Sequence, residues 1–118
     1  MSNSVGVASY SASTRTSEPL TPEPPYYAVI APAELSSDIE GYAETAAELF
    51  AIAPTQPGFL GIETCVERGF SMAVSYWSSL EAIAAWRHRA EHLAAKGMAR
   101  RKWFDRYVTR IARVERVY

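Results

Sequence analysis

Cysteine is nearly absent from this 118-residue sequence, which contains Cys65 alone and therefore cannot form an intramolecular disulfide. The sequence also lacks a run of about eighteen apolar residues and an apolar segment behind a positively charged start, so we expect neither a membrane span nor a signal peptide. It has no glycine-rich phosphate loop, Walker pattern or GxSxG elbow. We expect a cytoplasmic protein without a membrane partner, in which Cys65 lies in the core and is not a nucleophile.

The composition is typical of one globular domain, since 48% of the residues are hydrophobic and 12% are aromatic. The net charge of −1 is unevenly distributed, because residues 1–50 hold seven acidic side chains and one basic side chain, Arg15. From Lys96 to Arg116 there are eight basic and two acidic side chains. The arginines of this segment alternate with apolar residues, as in an amphipathic strand. We therefore expect them to pair with the acidic first helix or to attract an anionic ligand, and we expect no nucleic-acid partner.

Residues 1–24 are rich in Ser, Thr and Pro without a hydrophobic period, which predicts a flexible N-terminal arm in front of a domain formed by residues 25–118. Ser37 with Glu40 and Ser78 with Glu81 fit capping boxes at two helix starts. The predicted elements are a strand Tyr26–Ala31 that Pro32 stops, a helix Asp38–Ala53, strands Phe59–Glu67 and Phe70–Trp77 joined by a Glu67-Arg68-Gly69 turn, a helix from about Ser79 to Gly97, and a strand Phe104–Tyr118.

The second helix has an apolar face at steps of three and four, comprising Leu80, Ile83, Trp86, Ala90, Leu93, Ala94 and Gly97. We expect this face, including Trp86, to be in the core. His88 and His92 fall on the opposite face of a straight helix, where they would contact solvent.

The strand before this helix has two unlike faces. One face carries the bulky residues Phe70, Met72, Val74 and Tyr76, and the other carries the small residues Ser71, Ala73 and Ser75. A face of small side chains leaves room for a ligand or for a neighbouring element.

The order strand, helix, strand, strand, helix, strand predicts an α+β, ferredoxin-like βαββαβ fold with both helices on one face of the sheet. The opposite face of the sheet would then expose a large apolar patch. We expect a second copy of the chain, forming a homodimer, or a ligand to cover it.

Residues 26–118 resemble the antibiotic biosynthesis monooxygenase domain of the dimeric α+β barrel group. The resemblance lies in four segments, which are PYYAVI, QPGFLGIE, SYWSSLEAIAAWRHRAEHLAAK and WFDRYVTRIARVERVY. It implies two ferredoxin-like subunits that pack into a barrel, with a pocket in each subunit between the sheet and the helices. It also implies oxidation of an aromatic or polyketide-like small molecule without a metal or another cofactor.

A cofactor-free site of this kind needs an aromatic pocket, a base and a group that stabilises a developing oxyanion. The resemblance implies His92 as the base, Tyr107 as a residue that orients it or the substrate, and Arg106 or Tyr27 as the charge-stabilising group. His92 matches a histidine that relatives place after a helix-kinking proline, whereas this chain has Ala90 two residues earlier. The implied pocket residues are Tyr27, Trp77, Trp86 and Trp103, although aromatic residues also commonly form cores and dimer interfaces.

Three alternative interpretations of the sequence remain. A non-catalytic dimer that binds a small hydrophobic molecule would have the same fold. Haem-degrading relatives have a tryptophan that Trp86 matches, but Lys96 stands where their iron-ligating histidine would be, and residues 26–31 contain no asparagine. His88, Glu91 and His92 spell the H-x-x-E-H zinc motif, but a catalytic zinc needs a third protein ligand, so we expect no metal site.

Overall fold

The computed structural model describes residues 13–15, 22–96 and 100–118. These residues form six strands, three α-helices and a 3₁₀ turn, in chain order β1 Ser13–Arg15, β2 Tyr26–Leu35, α1 Tyr42–Ile52, the 3₁₀ turn Ala53–Thr55, β3 Phe59–Glu67, β4 Phe70–Trp77, α2 Leu80–Lys96, α3 Arg100–Trp103, β5 Phe104–Tyr107 and β6 Arg110–Val114. The predicted helix end at Gly97 lies outside the described residues, as do residues 1–12 and 16–21 of the predicted arm.

The strands form one antiparallel sheet in the order β1-β3-β4-β2-β5, and β6 continues the edge by pairing with β2 beyond β5. Without β1, this is the strand order of a ferredoxin-like fold, so the predicted α+β class is confirmed. The short strand β1 pairs with β3 and was not predicted from the sequence.

Both long helices cover the same face of the sheet. The register identifies this face. Ser75 of β4 lies opposite Val29 of one neighbouring strand, β2, and opposite Ile62 of the other neighbouring strand, β3. Ile83 of α2 packs with Val29 and Trp77, whereas Tyr42 and Ala46 of α1 pack with Val66. No helix among the described residues is both long and apolar enough to cross a membrane.

The central strand β2 passes through Pro32, where the sequence predicted it to stop. The carbonyl of Pro32 accepts a hydrogen bond from the Val108 amide at 3.3 Å, so the nitrogen of Pro32 faces the same edge. The hydrogen-bond ladder on this edge of β2 is interrupted at Pro32, between β5 and β6. Proline, which has no backbone N–H, is tolerated at such an irregularity. The same interruption divides the last strand, which was predicted to be continuous from Phe104 to Tyr118.

The two helices begin differently from the predicted capping boxes. Gly41 is the N-cap residue of α1 and has a φ of 85°, a left-handed conformation that glycine adopts without steric cost. The side-chain oxygen of Ser79 accepts a hydrogen bond from the Ala82 amide at 3.0 Å and caps α2. The predicted start near Ser79 is therefore confirmed, but Ser79 itself is the capping residue.

A bulge in β3 changes which residues face the helices. The register shifts between Phe59 and Gly61, so Phe59 lies opposite Trp77, with its ring centroid 5.5 Å from that of Trp77. Regular alternation from Ile62 would instead place Leu60 on this face. Cys65 lies on the opposite face and is exposed, so its predicted place in the core was wrong.

The core has two clusters along the helix-covered face. One cluster contains Trp77, Ile83 and Val29, with Trp86 packed on it as a half-buried residue. Leu80, which was predicted to lie on the buried face of α2, is exposed. The other cluster comprises Leu35, Tyr42, Ala46, Val66 and Trp103.

The basic end of the chain pairs in part with acidic residues near the N-terminal side of the domain. Arg106 and Glu34 approach to 2.8 Å, and Lys102 and Asp38 approach to 3.8 Å. Glu34 belongs to β2, whereas Asp38 is the first residue of the predicted first helix and lies in the loop before α1. Both pairs are largely exposed to solvent, so each contributes little to stability.

Candidate functional site

A cavity of about 230 Å³ lies between the helix-covered face of the sheet and the two long helices. We call it the sheet–helix cavity. Small side chains on the sheet, including Ala33, Ser71 and Ala73, leave this space unfilled, as the small-residue face of β4 predicted. Among the described residues, the wall is formed by Ala31, Pro32, Ala33, Tyr42, Thr45, Ala46, Leu49, Phe50, Thr64, Val66, Ser71, Ala73, Ala90, Glu91, Trp103, Phe104, Tyr107, Val108 and Thr109.

Three aromatic rings build one side of the cavity. The ring of Tyr42 meets those of Trp103 and Phe104 edge to face, with centroid distances of 5.6 Å and 5.8 Å. The indole nitrogen of Trp103 donates a hydrogen bond to the carbonyl of Glu40 at 2.8 Å, which fixes the ring beside the start of α1. This wall is suited to contact with a flat apolar molecule.

Two hydroxyl groups lie together on the inner wall. The Tyr42 hydroxyl and the Ser71 hydroxyl are 3.2 Å apart, and both residues are buried. Burial raises the pKa of Tyr42, and the hydrogen bond with Ser71 offsets only part of that effect. Tyr42 is therefore a neutral phenol at physiological pH, able to donate a hydrogen bond inside an apolar cavity.

The opening of the cavity is marked by residues that are both part of its wall and exposed to solvent. Tyr107, Val108 and Thr109 come from the interrupted edge of the sheet, and Glu91 comes from α2. Glu91 lies 3.7 Å from Arg87 in a solvent-exposed pair. It is the only carboxylate on the cavity wall among the described residues.

The structure divides the predicted pocket and catalytic residues between different places. Trp103 and Tyr107 line the sheet–helix cavity. Tyr27, Trp77 and Trp86 lie in the other core cluster instead, because Tyr27 pairs with Trp77 at the far end of β2 and β4, and Trp86 of α2 packs on Trp77. Trp77 is completely buried there, its ring is stacked on that of Trp86 at 5.7 Å, and its indole nitrogen donates to the Ser75 hydroxyl at 2.8 Å.

The other two predicted catalytic residues lie outside the cavity. His92 is exposed on the outer side of α2, although the residues two and one before it, Ala90 and Glu91, are part of the cavity wall. Arg106 points to the opposite side of β5, where Glu34 holds it and raises its pKa through a hydrogen bond and charge attraction. Within the described residues, no group of three His, Cys, Asp or Glu side chains is arranged to hold a metal ion.

Sequence reasoning did not single out Tyr42, Ser71 or Glu91 as site residues. The small-residue face of β4 indicated open space beside Ser71. It did not indicate which residue would face Ser71 across that space. Tyr42 fits the apolar period of α1, which by itself indicates an ordinary core position. Its contact with Ser71 joins residues 29 positions apart, which no local pattern reveals.

Comparison with known proteins gives one sequence relative and several structural neighbours. No protein-family model matches the chain. The uncharacterized protein YqjZ of Bacillus subtilis is 50% identical over 97 residues, which cover 81% of this chain and 85% of YqjZ.

The structural neighbours share the fold at low sequence identity. PA3566 from Pseudomonas aeruginosa has a TM-score of 0.63 and 14% identity, over 82% of this chain and 99% of that protein. A proposed antibiotic biosynthesis monooxygenase from Nitrosomonas europaea has a TM-score of 0.60 and 13% identity, over 75% of this chain and 89% of that protein. SnoaB, a cofactor-independent oxygenase from Streptomyces nogalater, has a TM-score of 0.59 and 12% identity, over 80% of this chain and 96% of that protein. These likenesses confirm, at the level of the fold, the resemblance seen in the sequence.

Proposed function

Because the chain belongs to the same family as YqjZ of Bacillus subtilis and has the fold of the antibiotic biosynthesis monooxygenases, we propose that it oxidises an aromatic or polyketide-like small molecule with molecular oxygen. The observation that carries this proposal is the sheet–helix cavity, with its aromatic side and its buried hydroxyl pair. A cavity of roughly 150 Å³ holds benzene. The present volume of about 230 Å³ therefore suits about two fused rings, and a larger ligand can extend through the opening.

The proposed reaction needs oxygen as the only oxidant. A phenol that carries a ring hydrogen is converted to a quinone: one oxygen atom of O₂ becomes the new carbonyl, and the other leaves as water with the two hydrogens of the substrate. The substrate gives up four electrons and O₂ accepts four, so no further reductant is required. Loss of the phenolic proton comes first, because the phenolate is the better electron donor.

Two neighbouring residues are candidates for accepting that proton. Glu91 is proposed from the geometry, since it is an exposed acidic residue of the cavity wall. His92 is proposed from the family resemblance, and a rotation of this part of α2 would be needed to bring it to the cavity. We propose that Tyr107, also at the opening, contacts the substrate oxygen.

The test is oxygen consumption with 1,5-dihydroxynaphthalene, a two-ring phenol. We expect one O₂ consumed for each quinone formed, above the rate without protein. A protein that binds this compound but does not accelerate oxygen uptake would contradict the oxidation.

Binding of 1,5-dihydroxynaphthalene without faster oxygen uptake would instead support a non-catalytic protein that binds small hydrophobic molecules. One observation favours this alternative: among the described residues, the buried part of the cavity wall carries hydroxyls and no charged group, while Glu91 is half-exposed and near Arg87. Such a wall is suited to binding without acid–base chemistry.

We further propose that the sheet face without helices is covered by a second copy of the chain. The supporting observation is that this face carries apolar side chains, including half-buried Met72 and Val74 and the 45% exposed Phe70. Sedimentation at micromolar concentration should give the mass of a dimer. A monomer at that concentration would contradict this arrangement.

A further inference from the structure

The hydroxyl pair of Tyr42 and Ser71 stands out in a cavity whose wall is otherwise mostly apolar. The two oxygens come from different elements, α1 and β4, and meet at 3.2 Å on the inner wall. Both residues are more than nine-tenths buried. Burying a hydroxyl is costly unless it is hydrogen-bonded, and here each hydroxyl is a partner of the other.

The surroundings hold both hydroxyls in place. The Tyr42 ring is fixed between the edge-to-face rings of Trp103 and Phe104. Ser71 lies within the paired part of β4, opposite Ala33 on one side and Val66 on the other. A binding group held on rigid elements loses little conformational entropy when a ligand binds.

The charges around the cavity restrict the ligand further. No lysine or arginine is part of the cavity wall among the described residues, and the one carboxylate, Glu91, stands at the opening. A ligand with a carboxylate would find no cationic partner inside the cavity. It would also have to pass the negatively charged Glu91 at the opening. Tyr42 is itself neutral, because burial raises its pKa. The cavity is thus suited to uncharged molecules.

We propose that the Tyr42–Ser71 pair is the recognition site for one hydroxyl or carbonyl oxygen of an uncharged aromatic ligand. A hydroxyl both donates and accepts, so the pair matches a phenol as well as a ketone. This inference rests on the proposed function, since it assumes that the ligand occupies the sheet–helix cavity. It adds a selection rule: the site distinguishes an oxygenated ring system from a hydrocarbon of equal size and from a carboxylate.

The experiment compares three probes that differ in one substituent, namely 2-naphthol, 2-methylnaphthalene and 2-naphthoate. Binding is measured by equilibrium dialysis without oxygen, so that no probe is consumed. For the unaltered protein we expect 2-naphthol to bind roughly 3- to 10-fold more tightly than 2-methylnaphthalene, the usual effect of one hydrogen bond, and 2-naphthoate to bind most weakly.

The variants Tyr42→Phe and Ser71→Ala should bring the ratio of naphthol to methylnaphthalene affinity close to one. Ser75→Ala is the matched control, because Ser75 lies on the same strand and face but bonds Trp77 outside the cavity. It should leave the ratio unchanged. Since each ratio is taken within one variant, a general loss of stability affects both probes equally.

The possible failures are distinguishable. If both neutral probes bind equally well to the unaltered protein, the recognition role is overturned and the cavity remains a binding site. If the preference for naphthol survives in both variants, another group recognises the oxygen. If no probe binds, the proposed use of the cavity fails, and this inference fails with it.

Discussion

The indole nitrogen of Trp103 donates a hydrogen bond to the backbone carbonyl of Glu40 across 2.8 Å, although the two residues are 63 positions apart. This contact joins the end of α3 to the turn that starts α1. Trp103→Phe keeps an aromatic ring but leaves that carbonyl without this donor. We expect unfolding by urea to show a loss of about 1–3 kcal/mol. A loss of less than about half a kcal/mol would mean that water replaces the indole.

The two stacked tryptophans should differ in their contribution to stability. Trp77 is completely buried, and Trp86 covers it as a half-buried residue. Trp77→Ala should cost about 3–5 kcal/mol, the usual loss for a fully buried aromatic ring, and Trp86→Ala about 1–3 kcal/mol. Chemical denaturation of the two variants measures both values. Equal losses would contradict the difference in burial.

Gly58 should not tolerate a side chain. Its φ is +86°, and a Cβ atom there would stand 2.5 Å from the Cβ of Ala82 and 2.9 Å from the side-chain oxygen of Ser78. Gly58→Ala should therefore cost about 2–4 kcal/mol, combining backbone strain with the collision at the start of α2.

Gly69 provides the matched control for this substitution. It has a φ of +80° in the β-hairpin turn, but nothing lies within 4 Å of its Cβ position. Gly69→Ala should cost only the strain of a left-handed alanine, about 1–2 kcal/mol. Thermal unfolding of both variants should show a larger decrease in melting temperature for Gly58→Ala than for Gly69→Ala.

Tyr76 makes stability sensitive to high pH. Burial, a 2.9 Å hydrogen bond to Glu63 and the charge of that carboxylate raise the pKa of Tyr76 to about 12, from an ordinary value of 10.0. The unfolded chain therefore releases this proton at lower pH than the folded chain. The stabilisation is complete below pH 10 and is lost as the pH rises from about 10 through about 12.

The tyrosinate absorbance of the folded protein measures this effect. Tyr76→Phe should remove one late-titrating phenol and make the decrease in stability above pH 10 less steep. Glu63→Gln should lower the pKa of Tyr76, because it removes the negative charge. An unchanged titration curve in both variants would contradict the assignment.

The two candidates for the proton acceptor can be separated by substitution. If Glu91 accepts the phenolic proton, Glu91→Gln should lower oxygen consumption about 10²- to 10⁴-fold, the usual loss for a general base, with little change in stability. His92→Ala should have that effect if α2 rotates to bring the histidine to the cavity. His88→Ala is the control on the outer side of the same helix. Full activity in both test variants would leave neither residue as the base.

Local patterns predicted the secondary structure and the order of elements because each long element carries its own period. Helix α2 begins where the sequence placed it, and the Arg68-Gly69 turn takes positive φ values of 52° and 80°. The continuation of β2 through Pro32 was missed, because it depends on an interruption in a neighbouring strand about 76 residues later along the chain.

The site was less accessible from the sequence than the fold. Trp103 and Tyr107, which the resemblance implied as site residues, lie beside a cavity, and the small residues of β4 indicated where space would be. The meeting of Tyr42 with Ser71 depends on how α1 is set on the sheet. The start of α1 in turn depends on the left-handed Gly41, whereas the sequence favoured an earlier start at a capping box.

The interruption of the sheet edge at Val108 and Thr109 has a consequence for how fast a ligand can reach the cavity. These two residues lie between β5 and β6 and also form part of the cavity opening. An opening of the edge at this point breaks one long hydrogen bond, from the Val108 amide to the Pro32 carbonyl, and leaves the regular ladders on either side paired. Exchange of ligand can therefore proceed by a small local opening, at a rate independent of global unfolding.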